Sequence, residues 1–231
     1  MESIVTYHAT KVSPQEVQRK AEEQYAGGYF CCEAVMSVIR DAFQADVPES
    51  VIAMSSGMSI GAGRSGCMCG ALNGGILALG MFFGRTTPDG PKDPKVNALM
   101  ALSKELHDWF RDSNAKHAAC CRVLTRGFDM AGGEHKKQCI AFTGLCAGKV
   151  AEILCRELGV ENVDSEPIKG LEAPYLPPVK EVVKGESMEK IKRVPLAISG
   201  VILGMAALGN LLQSYGEGIR LIFGGVASAT F

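Results

Sequence analysis

The sequence has no surplus of charge. Its 24 Lys and Arg are set against 25 Asp and Glu, so 231 residues carry a net charge of −1. A protein that holds nucleic acid by neutralising phosphates needs a basic surplus. No strong basic cluster occurs before residue 180, which argues against that class of function. The first twenty residues, MESIVTYHATKVSPQEVQRK, lack an apolar core of signal-peptide length, so the main domain is expected not to be exported. No convincing polar–apolar alternation occurs in 1–160, which removes a strand-based architecture. Neither C-x-x-C nor C-x-x-C-H occurs, so covalent haem attachment of the c type is unsupported. Gly61-Ala62-Gly63-Arg64-Ser65-Gly66 does match G-x-G-x-x-G, but it has no strand before it and no acid about 20 residues on. No nucleotide site is expected.

What the sequence does have is cysteine. Nine thiols in a chain expected to stay in a reducing compartment are metal ligands, redox groups or small buried residues, not a disulfide framework. They cluster as Cys31-Cys32, Cys67-Met68-Cys69 and Cys120-Cys121, with Cys139 and Cys146 seven residues apart on one helix face. Neighbouring thiols are not what scattered core filling would give, although Cys155 reads as a core residue. Four clusters on separate helices could each lend a thiolate to zinc or an iron–sulfur cluster. They could equally supply a pair that cycles between dithiol and disulfide. Metal-ligand candidates are therefore Cys31, Cys32, Cys67, Cys69, Cys120, Cys121, Cys139, Cys146 and His117. His117, one turn before Cys120, reads equally as a solvated histidine, and His135 reads as a surface residue.

The stretch Gly57–Gly84 is the point on which the clusters are expected to converge. Glycines at 57, 61, 63 and 66 form a loop that can approach another group closely. Gly63, Gly66 and Gly70 are its cofactor-binding candidates, with an anion nest as a lesser reading. Gly70, Gly74, Gly75 and Gly80 then recur inside a helix despite a cost of roughly 1 kcal/mol each against Ala, which points to tight packing. Around this stretch the chain reads as all-α. Ser13-Pro14 starts a helix, with Glu16 placed for a capping box, and Gly27 stops it. Further helices are expected from Phe30 to Phe43, from Pro48 to Ser55, from Lys95 to Phe110 around the single Trp109, briefly through His117, Cys120 and Cys121, and through Cys139 to Leu158. Cys31 and Cys32 fall in a first helical turn, where free amides favour a thiolate.

A helical domain over 1–159 is thus followed by a proline-rich linker over 160–190 and an apolar tail over 191–231. Val194 to Leu212 is 19 residues without a charge, about 28 Å of helix, enough to cross a bilayer. Lys184, Lys190, Lys192 and Arg193 precede it and Arg220 alone follows, which keeps the N-terminal domain cytoplasmic. Leu221 to Phe231 begins a second apolar run.

Several of these segments match known families. Gly28-Tyr29-Phe30-Cys31-Cys32-Glu33-Ala34-Val35, Cys69-Gly70-Ala71-Leu72-Asn73-Gly74 and Cys121-Arg122-Val123-Leu124 resemble the cysteine segments of the redox-active proteins called the C_GCAxxG_C_C family. The resemblance covers about residues 15–158. It implies redox thiols at Cys31, Cys69, Cys121 and either Cys139 or Cys146. The tail, from Val194-Pro195-Leu196-Ala197 through Leu208-Gly209-Asn210 to Ile219-Arg220, resembles the opening of the tellurite-resistance/dicarboxylate transporter (voltage-dependent anion channel) family. Three functions follow: a membrane-tethered redox domain using an iron–sulfur cluster or a disulfide, a zinc-binding structural or sensory domain, or the first part of an anion transporter. An electron-transfer partner or transporter subunits are implied, nucleic acid is not, and a homo-oligomer is compatible. The full chain is expected to fractionate with membranes and residues 1–193 to be soluble. Recovery of the full chain as a detergent-free monomer would overturn the membrane assignment.

Overall fold

The computed structural model describes residues 1–171, which are mostly helical, as the sequence predicts. β1 (Lys11–Val12) leads into α1 (Pro14–Ala26), α2 (Cys31–Ala42), α3 (Ser50–Ala53), a 3-10 turn (Ser56–Met58), α4 (Ser59–Ala62), α5 (Gly70–Phe83), α6 (Pro94–Asp112), α7 (Cys121–Leu124), α8 (Lys136–Leu158) and β2 (Glu161–Asn162). The two strands pair in parallel, Lys11 with Glu161 and Val12 with Asn162. Two residues are too few for alternation to show in a sequence.

α8 is the axis of the domain. Cys146, Ala147, Val150, Ala151, Ile153 and Leu154 are all fully buried, and the helix packs on α1, α2, α5 and α6. By length and composition α8 could cross a membrane, but most of that window is buried inside the protein, so it is a core helix. α5 lies against it, with Leu72, Leu79, Phe82 and Phe83 buried. Phe82 meets Phe43 edge-on at 5.6 Å between ring centroids.

The glycines of α5 divide into two kinds. A Cβ on Gly74 would lie 2.8 Å from the Cys32 carbonyl oxygen, and one on Gly75 would lie 2.7 Å from Leu106 Cδ2. These two let α2, α6 and α8 approach the α5 backbone. Gly80 has nothing within 4 Å of that position, so tight packing does not account for it.

Helix ends follow local chemistry. Ser13 Oγ accepts from the Glu16 amide at 3.1 Å, and Pro14 occupies the first turn of α1. Glu16 does not complete a capping box; its carboxylate pairs with Arg19. The segment after α8 also differs from expectation. The Glu161 amide donates to Thr10 O, Val163 to Val12 O and Leu171 to Ser113 O, while Ile168 is buried. Residues 160–171 therefore belong to the folded domain, because their backbone donors find partners far away in sequence that a linker-like composition conceals. The rest of the expected linker, the 194–212 span and the transporter-like tail lie outside the described residues.

Two substitutions separate the glycines of α5. Gly74→Ala should lower the urea midpoint, because its methyl would strike backbone. Gly80→Ala should raise stability by about 0.5–1 kcal/mol through helix propensity. Equal effects would show that α5 is not pinned at Gly74.

Candidate functional site: a cavity lined by four thiols

From α4 into the loop before α5 the backbone does something rare. Ile60, Gly61, Ala62, Gly63 and Arg64 all have positive φ, between 54° and 69°. This is a short left-handed turn. Each of its three non-glycine residues costs roughly 1–2 kcal/mol, so surrounding contacts must hold it. They are present. The Cys67 amide donates to Gly61 O, and Asn73 Nδ2 donates to Met58 O and Met68 O at 3.1 and 3.3 Å. Met68 pairs antiparallel with Cys120, the Cys69 amide donates to Ala119 O at 2.7 Å, and the Cys121 amide donates to Cys67 O at 2.7 Å. A Cβ on Gly61 would fall 2.9 Å from Cys121 Cβ. Gly61 therefore lets the two cysteine segments lie side by side.

The result is a cavity of about 480 Å³ whose wall includes Cys31, Cys69, Cys121 and Cys139. Cys31 is the first residue of α2, Cys69 caps α5, Cys121 begins α7, and Cys139 lies in the opening turns of α8. Tyr25, Tyr29, Phe30, Ile60, Met130 and Ile140 supply apolar wall, and His135 and Lys136 supply its basic groups. The closest approach is at Gly70, where a Cβ would lie 2.3 Å from Cys31 Sγ. Cys31 and Cys69 are buried, while Cys121 and Cys139 are half-buried.

Burial dominates the electrostatics. It pushes the Cys31 thiol up, although the Ile60 and Cys32 amides and the Ser59 hydroxyl oppose it. Cys69 is pushed well above an ordinary thiol by burial and then by the neighbouring Cys31 and Cys146 thiols. Cys139 is pushed up to about 12 by burial, with Cys121 the heaviest of the charges around it and Tyr25 acting to lower it. Cys121 is also raised, by burial and then by Cys31. The helix-start effect expected to favour thiolates is real at Cys31 but loses to desolvation. At neutral pH these four groups are protonated thiols.

The remaining candidates fall elsewhere. Cys32 is buried behind Cys31, with Ser55 acting to lower a pKa that burial has pushed up to about 12. Cys146 is fully buried, and burial pushes it up as well. Cys67 and Cys120 are exposed on the two paired segments. His117 is exposed in a loop at φ 45° before α7, not within a helix, and is not in the cavity wall. Gly63 and Gly66 are outside that wall too, and a Cβ on Gly66 would meet the Arg122 side chain at 3.0 Å. Among the described residues, no group of three or more His, Cys, Asp or Glu side chains is placed to hold a metal ion. The donor set as arranged therefore does not fit zinc or an iron–sulfur cluster. His135, read from the sequence as a surface residue, is in the cavity wall, and its Nδ1 is buried without a partner. Its position four residues before Cys139, one helical turn, was the available signal. Nothing in the sequence singled out Tyr25.

Residues 29–153 match the model of the family described as "Putative redox-active protein (C_GCAxxG_C_C)". The chain belongs to this family. The match spans all four cavity cysteines and ends before the apolar tail. No curated protein and no solved structure matches the chain.

Burial predicts graded reactivity. At pH 8 a thiol with a pKa of about 12 is ionised in only about one molecule in 10⁴. Native iodoacetamide labelling read by peptide mass should modify Cys67 and Cys120 well before Cys139. The Cys139 rate should climb about tenfold per pH unit up to pH 10, since the thiolate is the nucleophile. A Cys139 rate that levels off near pH 8 would contradict the burial argument.

Proposed function

We propose that the chain is a dithiol–disulfide redox protein whose working pair is Cys121 and Cys139, with Cys31 and Cys69 as a second pair behind it. The observation that carries this is the convergence of four thiols on one accessible cavity, together with membership of a family described as redox-active. The pairing rests on burial and on charge. Cys121 and Cys139 are the half-buried members of the four, and Cys121 is the foremost of the thiols that raise Cys139, while Cys31 is foremost at Cys121.

The step is thiol–disulfide exchange. Cys121 loses its proton and attacks one sulfur of a partner disulfide, forming a mixed disulfide and releasing one partner thiol. Cys139 loses its proton and attacks the Cys121 sulfur, which releases the second partner thiol. The protein gives up two electrons and two protons, and the partner disulfide gains both. In the reverse direction the same cavity reduces the protein disulfide at the expense of a partner dithiol. The membrane helix at 194–212 would tether this domain to the cytoplasmic face, a reading supported by the apolar run and its basic flank alone.

The raised thiol pKa values set the pH dependence. A proton held tightly in the reduced form is released on oxidation over the whole range below its pKa. The midpoint potential should therefore fall by about 59 mV per pH unit from pH 6 through the region near 8.5 where the slope of an ordinary thiol pair breaks. Redox titration read by thiol-labelling mass shift measures this. Cys121→Ser and Cys139→Ser should each abolish the Cys121–Cys139 disulfide, while Cys155→Ser, remote from the cavity, should leave it. Absence of any intramolecular disulfide across the titration would sink the proposal.

A further inference from the structure

The cavity has a charge preference as well as thiols. Three helices long enough to carry a dipole, α2, α5 and α8, begin in its wall at Cys31, Gly70 and Lys136. The positive ends of their dipoles lie at this wall, although the Lys136 amide itself donates to Gly133 O at 3.0 Å. Lys136 and His135 add basic side chains, and the wall contains no aspartate or glutamate. Of the acids beside these helix starts, Glu33 accepts from the Phe30 amide and the Ser56 hydroxyl, and Glu134, next to His135, accepts from the Asp129 amide. His135 Nδ1 is buried with no partner in the protein.

The rest of the wall is apolar and partly open. Tyr29, Phe30 and Met130 are 44%, 42% and 51% exposed, unusual for side chains of that size. A space of about 480 Å³ is in the range that small ligands fill. Apolar walls, converging helix starts and unopposed basic groups together select a compact molecule with an apolar or aromatic body and a negative charge.

We infer that the oxidant taken by this cavity is a small anionic disulfide with an aromatic or apolar body. This rests on the dithiol–disulfide reading above and adds the chemical class of its substrate. The anionic group sits toward Lys136, His135 and the helix starts, and the apolar body lies against Tyr29, Phe30 and Met130. The disulfide is thereby presented to Cys121. The same positive surroundings favour the thiolate that leaves on each exchange. Electron and proton balance is as stated above: two protein thiols become one disulfide, and one small disulfide becomes two small thiols.

The test uses the reduced full chain carrying Cys67→Ser and Cys120→Ser, so that exposed thiols outside the cavity do not report. Three disulfides are compared: 5,5′-dithiobis(2-nitrobenzoate), which is dianionic and aromatic, 4,4′-dithiodipyridine, which is neutral and aromatic, and cystamine, which is dicationic. Each rate is divided by that reagent's rate with a free small thiol at the same pH. The normalised rate for the dianion should exceed the neutral reagent's by about tenfold and the dication's by more. Lys136→Glu combined with His135→Gln should remove most of that preference, and added salt should weaken it. Equal normalised rates, or a preference untouched by the double substitution, would overturn the anionic assignment while leaving dithiol chemistry in place, provided a protein disulfide is still found by mass. Failure of all three reagents to generate a protein disulfide would overturn both readings.

Discussion

The contact on which the site depends is the one between Cys31 Sγ and the bare Cα of Gly70. A methyl at Gly70 would stand 2.3 Å from that sulfur, so the start of α5 can press against the start of α2 only because position 70 has no side chain. Ser59 and Ile60 crowd the same spot, their backbone atoms 3.0 and 3.1 Å from where that Cβ would be. This closeness brings the Ile60 amide to the Cys31 thiol. Ile60 presents that amide from a left-handed conformation that β-branched side chains avoid. The local backbone is thus held in an unfavourable shape by its long-range bonds to 119–122, and the product of that strain is the arrangement of the thiol pocket.

Two opposed influences act on the thiols, and their sizes decide the chemistry. Helix starts stabilise an anion by roughly 0.3–1 kcal/mol each at exposed sites. Full burial can raise a thiol by several pKa units, each worth about 1.4 kcal/mol. At Cys69 and Cys139 burial wins clearly, and the thiols rest neutral. A pocket of this kind is quiet until something enters.

How much of this could be read in advance depends on what each residue encodes locally. Glycines at 61, 70 and 74 signalled close approach because only contact repays their helix or loop cost, and the cysteine doublets signalled a shared site because neighbouring thiols have little packing rationale. The left-handed run was invisible, since Ile60, Ala62 and Arg64 are the wrong residues for it and only tertiary bonds enforce it. In the sequence His117 stands between two readings, ligand and solvated histidine, and His135 reads as a surface residue. The chain from Asn114 to Cys120 turns instead of continuing as a helix: Asn114 Oδ1 accepts from the Lys116 and Ala118 amides, and His117 swings out to solvent. His135, beside two glycines and two lysines, has surface-like neighbours in sequence but cavity neighbours in space. Residues 160–171 went unread because their partners, Thr10, Val12 and Ser113, are distant in the chain.

The same distinction between local and spatial neighbours bears on metal binding. Nine cysteines and four histidines suggest a metal centre by number alone. A tetrahedral zinc–thiolate site needs every sulfur about 2.3 Å from one point, and a cluster is scarcely more tolerant. Here the sulfurs are spread around the wall of an open cavity. Burial keeps their protons on, and the basic groups beside them would repel a cation. Exchange chemistry makes no such demand, since it needs only two sulfurs to meet in turn on a disulfide brought from outside.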